Sequence, residues 1–170
     1  MPIPDALKGA ADLTAELKQQ FVEILPHLRA FARSLCGQQT LADDLVQETV
    51  LKAWAARDSF REGTNFKAWA FTILRNTYYS HMRTKKREVE DVDGVLVARL
   101  TALPDQEDKI ELQDVKRALM ALPDSQREAL ILVAASGFSY EEAASISGCA
   151  TGTMKSRVNR ARKNLLETMG

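Results

Sequence analysis

The chain has 170 residues, 45% of them hydrophobic and 27% charged, and its 23 basic and 23 acidic side chains give a formal net charge of zero. These are globular values for one domain or two small ones, and no apolar run of about 18 residues is present to span a membrane. A neutral total excludes an even positive coat but leaves room for charge sorted along the chain. Strand signals are scarce and helical periodicity is general, which predicts an all-α fold. Residues 1–14 read as a tail, and MPIPDALKGAADLTAELKQQ lacks the basic-then-apolar layout of a signal peptide. A first helix is predicted over 15–36, kinked or broken at Pro26, with Gly37 just beyond its end. A second, over 40–58, would bury Leu41, Leu45, Val46, Thr49, Val50 and Trp54. DSFREGTN is a loop, and Asn65 caps a long third helix, 66–87, with Phe66, Trp69, Ala70, Ile73, Leu74 and Thr77 inward.

These elements make a first domain, 15–87. Residues 88–108 read as a linker, broken by Gly94 and Pro104, and a second helical domain covers 109–168. It opens with a stripe of Leu112, Val115, Leu119 and Leu122, ended by Pro123. Asp124 is placed as the cap of the next helix, whose apolar residues include Leu130, Ile131 and Val133 and which Gly137 ends. SYEE is a capping box: Ser139 accepts from the backbone of Glu142 while the Glu142 carboxylate reaches back. A short helix, 140–146, stops at Gly148, and Thr151 is placed as the cap of the last helix. The predicted architecture is two small helical domains joined by an acidic linker.

The charge is sorted. Residues 67–87 carry Lys67, Arg75, Arg83, Lys85, Lys86 and Arg87 and no acid. Residues 88–114 carry Glu88, Glu90, Asp91, Asp93, Asp105, Glu107, Asp108, Glu111 and Asp114 against Arg99 and Lys109. The last helix is basic again. Its Met154, Val158, Ala161 and Leu165 form one stripe, Lys155, Ser156, Asn159, Arg160 and Lys163 lie opposite, and Arg157 and Arg162 flank the stripe. Alone, this reads equally as a surface helix whose late cations suit the helix dipole. With the capped helix and the Gly148 turn before it, it becomes the second helix of a helix-turn-helix, the one that enters the DNA major groove. Lys and Arg there can donate to guanine, Asn159 can pair with adenine, and Arg157 and Arg162 suit phosphates.

Catalytic and cofactor chemistry finds little support. Cys36 and Cys149 are far apart, fit no metal spacing and read as reduced structural thiols of a cytoplasmic protein. His27 and His81 have no ligand cluster near them, and there is neither a Gly-rich phosphate loop nor a Ser/His/Asp set. No metal, cofactor or enzyme activity is expected.

Three stretches, ADDLVQETVLKAW, FKAWAFTILRNTYYSHMRTKKR and GFSYEEAASISGCATGTMKSRVNRAR, resemble conserved regions 2 and 4 of the bacterial extracytoplasmic-function (ECF) sigma factors, over about 17–168. In detail they look most like the alphaproteobacterial general-stress-response group. The resemblance implies a subunit of RNA polymerase that directs transcription initiation, with core polymerase and promoter DNA as partners and no membrane. It implies that Asp44, Gln47 and Glu48, at i, i+3 and i+4 of the second helix, contact the polymerase clamp. The third helix matches the promoter-melting region, which needs stacking aromatics and a basic track. Phe60, Trp69, Tyr78 and Tyr79 lie near the basic residues, but Phe66 and Trp69 read better as core. The minus-ten candidates are Arg61 and Asn65 in the loop, where relatives capture a flipped base, and Arg75, Asn76 and Tyr79 on the helix. Lys85, Lys86 and Arg87 read equally as phosphate contacts or as solvated charge. In region 4 the resemblance gives Lys155, Ser156, Asn159 and Arg160 to the minus-thirty-five element, with Arg157, Arg162, Tyr140 and Glu141 beside them. Ala150 departs from the proline many relatives carry in the turn. The group is held inactive by a small anti-sigma protein, of the NepR type in the stress branch. The acidic linker could fold on the basic surfaces or thread toward the template channel. Free protein would bind promoter weakly, since polymerase supplies the effective concentration. A helix-turn-helix regulator acting alone is the runner-up, but it leaves the DDLVQE helix unexplained; a protein-only helical adaptor leaves the basic face unexplained.

Overall fold

The computed structural model describes the backbone of residues 5–91 and 110–170, and the side chains of 14–90 and 111–170. Among these residues every regular element is helical. The stretch 92–109, which holds most of the expected linker and both of its proposed paths, lies outside them.

The N-terminal unit is three helices: α1 (Asp5–Cys36), α2 (Gln39–Ala55) and α3 (Phe66–Asp91). Helix α1 begins at Asp5, earlier than the expected tail allows. ALKGAADLTAEL is rich in Ala and Leu, and extending a helix already packed carries no nucleation cost. Nor does Pro26 break it. Pro26 and Val22 both face solvent, so the Val22 carbonyl that loses its partner can be hydrated. Gly37, at φ 72°, turns the chain into α2. The Asn65 side chain accepts from Ala68 N at 3.1 Å, capping α3 as the sequence predicts. Leu28, Phe31, Leu35, Leu45, Phe71 and Leu74 are fully buried, and Phe31 stacks on Phe71 with centroids 4.7 Å apart.

The C-terminal unit holds α4 (Ile110–Ala121), α5 (Asp124–Leu130), α6 (Tyr140–Ser147) and α7 (Thr151–Met169). A π-helical turn, Ile131–Ala135, prolongs α5 toward Gly137, where a single helix was expected. Two expected caps are absent. Pro123 holds the N-cap position of α5, and the Asp124 carboxylate binds Arg127 instead of the backbone. Ala150 holds that position for α7, with φ −71° and ψ 150° and no side-chain bond. Those angles are the ones proline favours, so the turn keeps its shape with alanine. Half of the predicted α4 stripe is also exposed: Leu122 is buried, but Leu112 and Val115 stand in solvent. The core of α4 is completed by Ala118.

The two units share one core. Phe138, after the π-turn, packs edge-on against Phe71 at 5.1 Å, and α6 lies against α3 while α4 and α5 lie against α1. The α1–α2 turn is seated on α4 so closely that a Cβ on Gly37 would fall 2.9 Å from Met120 Sδ. Among the described residues no helix is long and apolar enough to cross a membrane.

Candidate nucleic-acid interface

Helix α7 is anchored by its apolar stripe. Met154, Val158 and Ala161 are fully buried, with Leu165 packed beside them. The anchor turns Lys155, Ser156, Asn159, Arg160 and Arg162 into solvent, with Arg157 half-buried at the edge. Among the described residues none of these cations has an ion-pair partner. The helix before it is fixed by the predicted box: Glu142 N donates to Ser139 Oγ at 3.1 Å, and Ser139 N donates to Glu142 Oε1 at 3.1 Å. Gly148, at φ 67°, ends that helix in the left-handed conformation glycine tolerates. Tyr140, half-buried at the start of α6, supports Lys155, whose Nζ stands 5.7 Å from the ring centroid. Glu141 is exposed. Ser156 Oγ donates to its own Gly152 carbonyl at 3.1 Å, so it must release that bond to reach a base.

The α3 candidates divide. Arg61 and Asn76 are exposed and open to a partner. Asn65, Arg75 and Tyr79 instead bind the C-terminal unit. Asn65 Nδ2 donates to Glu142 Oε2 at 2.7 Å. Arg75 Nε donates to Glu128 Oε1 at 2.7 Å, and its guanidinium lies over the Tyr79 ring at 4.5 Å. The Tyr79 hydroxyl donates to Glu128 Oε2 at 3.0 Å. Burial first, then the Glu128 charge, raises the Tyr79 phenol well above its ordinary value. The two Ser139 bonds, then Asn65, lower the Glu142 carboxyl. Phe66 is core as expected, and Trp69, half-buried, sits 5.6 Å from it and 5.2 Å from Phe60. Lys86 and Arg87 are solvated and Lys85 is half-buried.

On α2, Asp44, Gln47 and Glu48 share the exposed side, beside a groove of about 610 Å³ lined also by Leu25, Arg29, Arg33 and Leu51. Glu48 is bridged to Lys52 at 2.8 Å, an exposed pair of little energetic weight.

Two residues that sequence reasoning passed over, Arg127 and Glu128, are buried and charged. A signal existed. Arg127 stands three before Leu130 and Glu128 four before Leu132, so the register of α5 puts both on its apolar face.

Residues 21–88 match the Sigma-70 region 2 family and residues 112–165 match Sigma-70, region 4. The ECF RNA polymerase sigma factor EcfG of Rhodopseudomonas palustris (strain TIE-1) is 56% identical over 153 residues, 90% of this chain and 84% of the relative. The chain belongs to the ECF RNA polymerase sigma factors. Among solved structures, the sigma factor RpoE in complex with the anti-sigma factor NepR from Bartonella quintana has a TM-score of 0.83 and 55% identity, covering 91% of this chain and 96% of that one. CnrH in complex with the cytosolic domain of CnrY has a TM-score of 0.71 and 29% identity, over 96% and 94%. The N-terminal unit is therefore sigma region 2 and the C-terminal unit region 4. As an ECF sigma factor the chain is a non-enzymatic subunit that binds core RNA polymerase and directs promoter recognition and initiation of transcription.

Proposed function

We propose that this sigma factor reads the minus-thirty-five element with Lys155, Ser156, Asn159 and Arg160, while Arg157, Arg162, Tyr140 and Glu141 hold the backbone and set the approach. Region 2 reads the minus-ten element with Arg61, Asn65, Arg75, Asn76 and Tyr79, and docks on core polymerase through Asp44, Gln47 and Glu48. The observation that carries this reading is the α7 face itself: cations without ion-pair partners on the solvent side of a helix whose other side is locked by Met154, Val158 and Ala161. Such a face gives salt-dependent attraction to phosphate and leaves donors free for base edges. The RpoE relative captured with NepR supports a NepR-type anti-sigma partner for this chain and a role in a stress response. Its work is done in the cytoplasm, where polymerase and promoter meet.

The test is abortive transcription with purified core polymerase, on promoters carrying stress-group elements and on scrambled ones, with the wild type and Lys155→Ala/Arg160→Ala. Initiation should require the protein and the intact elements. The double variant should lose about tenfold or more, since a good base contact is worth about 1–3 kcal/mol. Full activity in the double variant would refute the assignment to α7. Binding to duplex promoter without any core-dependent initiation would favour a regulator acting alone.

A further inference from the structure

Region 4 lies across the face of α3 to which minus-ten reading is assigned above. Helix α5 delivers two adjacent buried charges to that face. Glu128 is 1% exposed, and its two oxygens accept from Arg75, from Tyr79 and from Ser147 Oγ, the last at 3.1 Å. Arg127, 3% exposed, donates to the Leu35 carbonyl at 3.1 Å and to the Tyr78 hydroxyl at 3.3 Å. Lys67 Nζ donates to the Ser136 carbonyl at 2.7 Å and lies 5.0 Å from the Phe138 ring centroid. Asn65 is taken by Glu142. Every one of these bonds joins region 2 to region 4, apart from the Ser147 support inside region 4.

We infer that Arg127 and Glu128 form an internal clasp, with which region 4 occupies the minus-ten surface until polymerase draws the two regions apart. The inference rests on the assignment of Asn65, Arg75 and Tyr79 to promoter DNA. Glu128 is an anion seated on the guanidinium and beside the ring that a nucleotide would use. A single strand cannot stack on Tyr79 or reach the bonded edge of Arg75 while that carboxylate is in place. The exchange is nearly matched in charge: Arg75 trades a carboxylate for the polyanion of DNA and is never left unpaired. Glu128 needs a new partner when it leaves, which makes the closed form a defined state. A TM-score of 0.83 over 91% of the chain requires the two regions to sit alike, so the NepR-bound relative has this same closed docking. An anti-sigma that binds only the closed form stabilises a state the chain already populates.

The test uses the full chain, with Glu128→Gln, Lys67→Met and the double variant. Small-angle scattering reads closure; a compact chain of this length has a radius of gyration of about 15 Å. Fluorescence anisotropy reads affinity for a labelled single-stranded non-template oligonucleotide, taken from the minus-ten region of a promoter this factor transcribes. The expected result is expansion of each variant and oligonucleotide binding tighter by about tenfold, the factor a charge-assisted hydrogen bond contributes to such an equilibrium. Transcription by holoenzyme carrying Lys67→Met should be unchanged, because the regions are already parted there. Folded variants, with wild-type helical circular dichroism, that neither expand nor bind more tightly would overturn the clasp. Expansion without a gain in affinity would overturn the masking and the minus-ten assignment together, leaving only a closed docking. Should Glu128→Gln fail to fold, Lys67→Met gives the same readings from a different contact.

Discussion

Glu142 does two things at once, and a mutant cycle separates them. One carboxylate oxygen closes the capping box of α6 by accepting from Ser139 N; the other accepts from Asn65 Nδ2 across the interface at 2.7 Å. Ser139→Ala removes the first half of the box alone, and should cost about 1 kcal/mol. Glu142→Ala removes the return bond of the box and the bond to Asn65. Charge-assisted hydrogen bonds contribute about 1.5–3 kcal/mol when buried, but this pair is solvent-exposed, so the interface bond is discounted to about 0.5–1 kcal/mol. The total for Glu142→Ala is then about 2 kcal/mol. Asn65→Ala loses the same interface bond together with its own cap on Ala68 N. The double variant Asn65→Ala/Glu142→Ala should therefore fall short of the sum of the singles by about 0.5–1 kcal/mol. Urea denaturation followed by circular dichroism measures all four stabilities. Strict additivity, within about 0.3 kcal/mol, would mean that Asn65 and Glu142 do not meet in solution, and would remove this contact from the interface.

Met154→Ala should destabilise region 4 by about 2–5 kcal/mol, because a fully buried side chain at the base of α7 leaves a cavity; thermal melting would show it, and an unchanged melting temperature would contradict the anchor. Replacing Asp44, Gln47 and Glu48 together by alanine should weaken binding to core polymerase by at least about tenfold with no loss of stability, measured by competition against the wild type. The Glu142 carboxyl is held below its ordinary value of 4.5, so its share of stability is complete above that pH and is lost as the pH falls through the lowered value. Glu142→Gln should flatten that part of the acid limb in a pH series of denaturation midpoints; an identical acid limb would refute it.

Much of this could be read from the sequence because the signals were local. The Ser139–Glu142 box, the Asn65 cap, the left-handed glycines at 37 and 148 and the Met154–Val158–Ala161 stripe each depend on residues within two turns of one another. The docking of the regions was not legible. It depends on Arg75 meeting Glu128 and Phe71 meeting Phe138, pairs separated by a stretch whose pattern says nothing of where it leads. The α4 stripe was misread for a related reason. Leu112 and Val115 have core chemistry and spacing, yet α4 meets α1 through Met120 and Ala118 at its later turns, and its first turns extend past what lies beneath them. Arg127 and Glu128 were overlooked because charge is ordinarily a surface signal. The caps assigned to Asp124 and Thr151 were one residue late, as helix ends commonly are.

The glycine at 37 links two properties that are usually separate. Its backbone sits at φ 72°, which side chains resist, and the space where a side chain would begin is already held by the Met120 thioether. A genetic selection for chains that stay open should therefore converge on this one codon. Suppressors that shorten Met120 would relieve the collision and leave the strained turn, so the recovered strains would regain closure while remaining sensitive to heat.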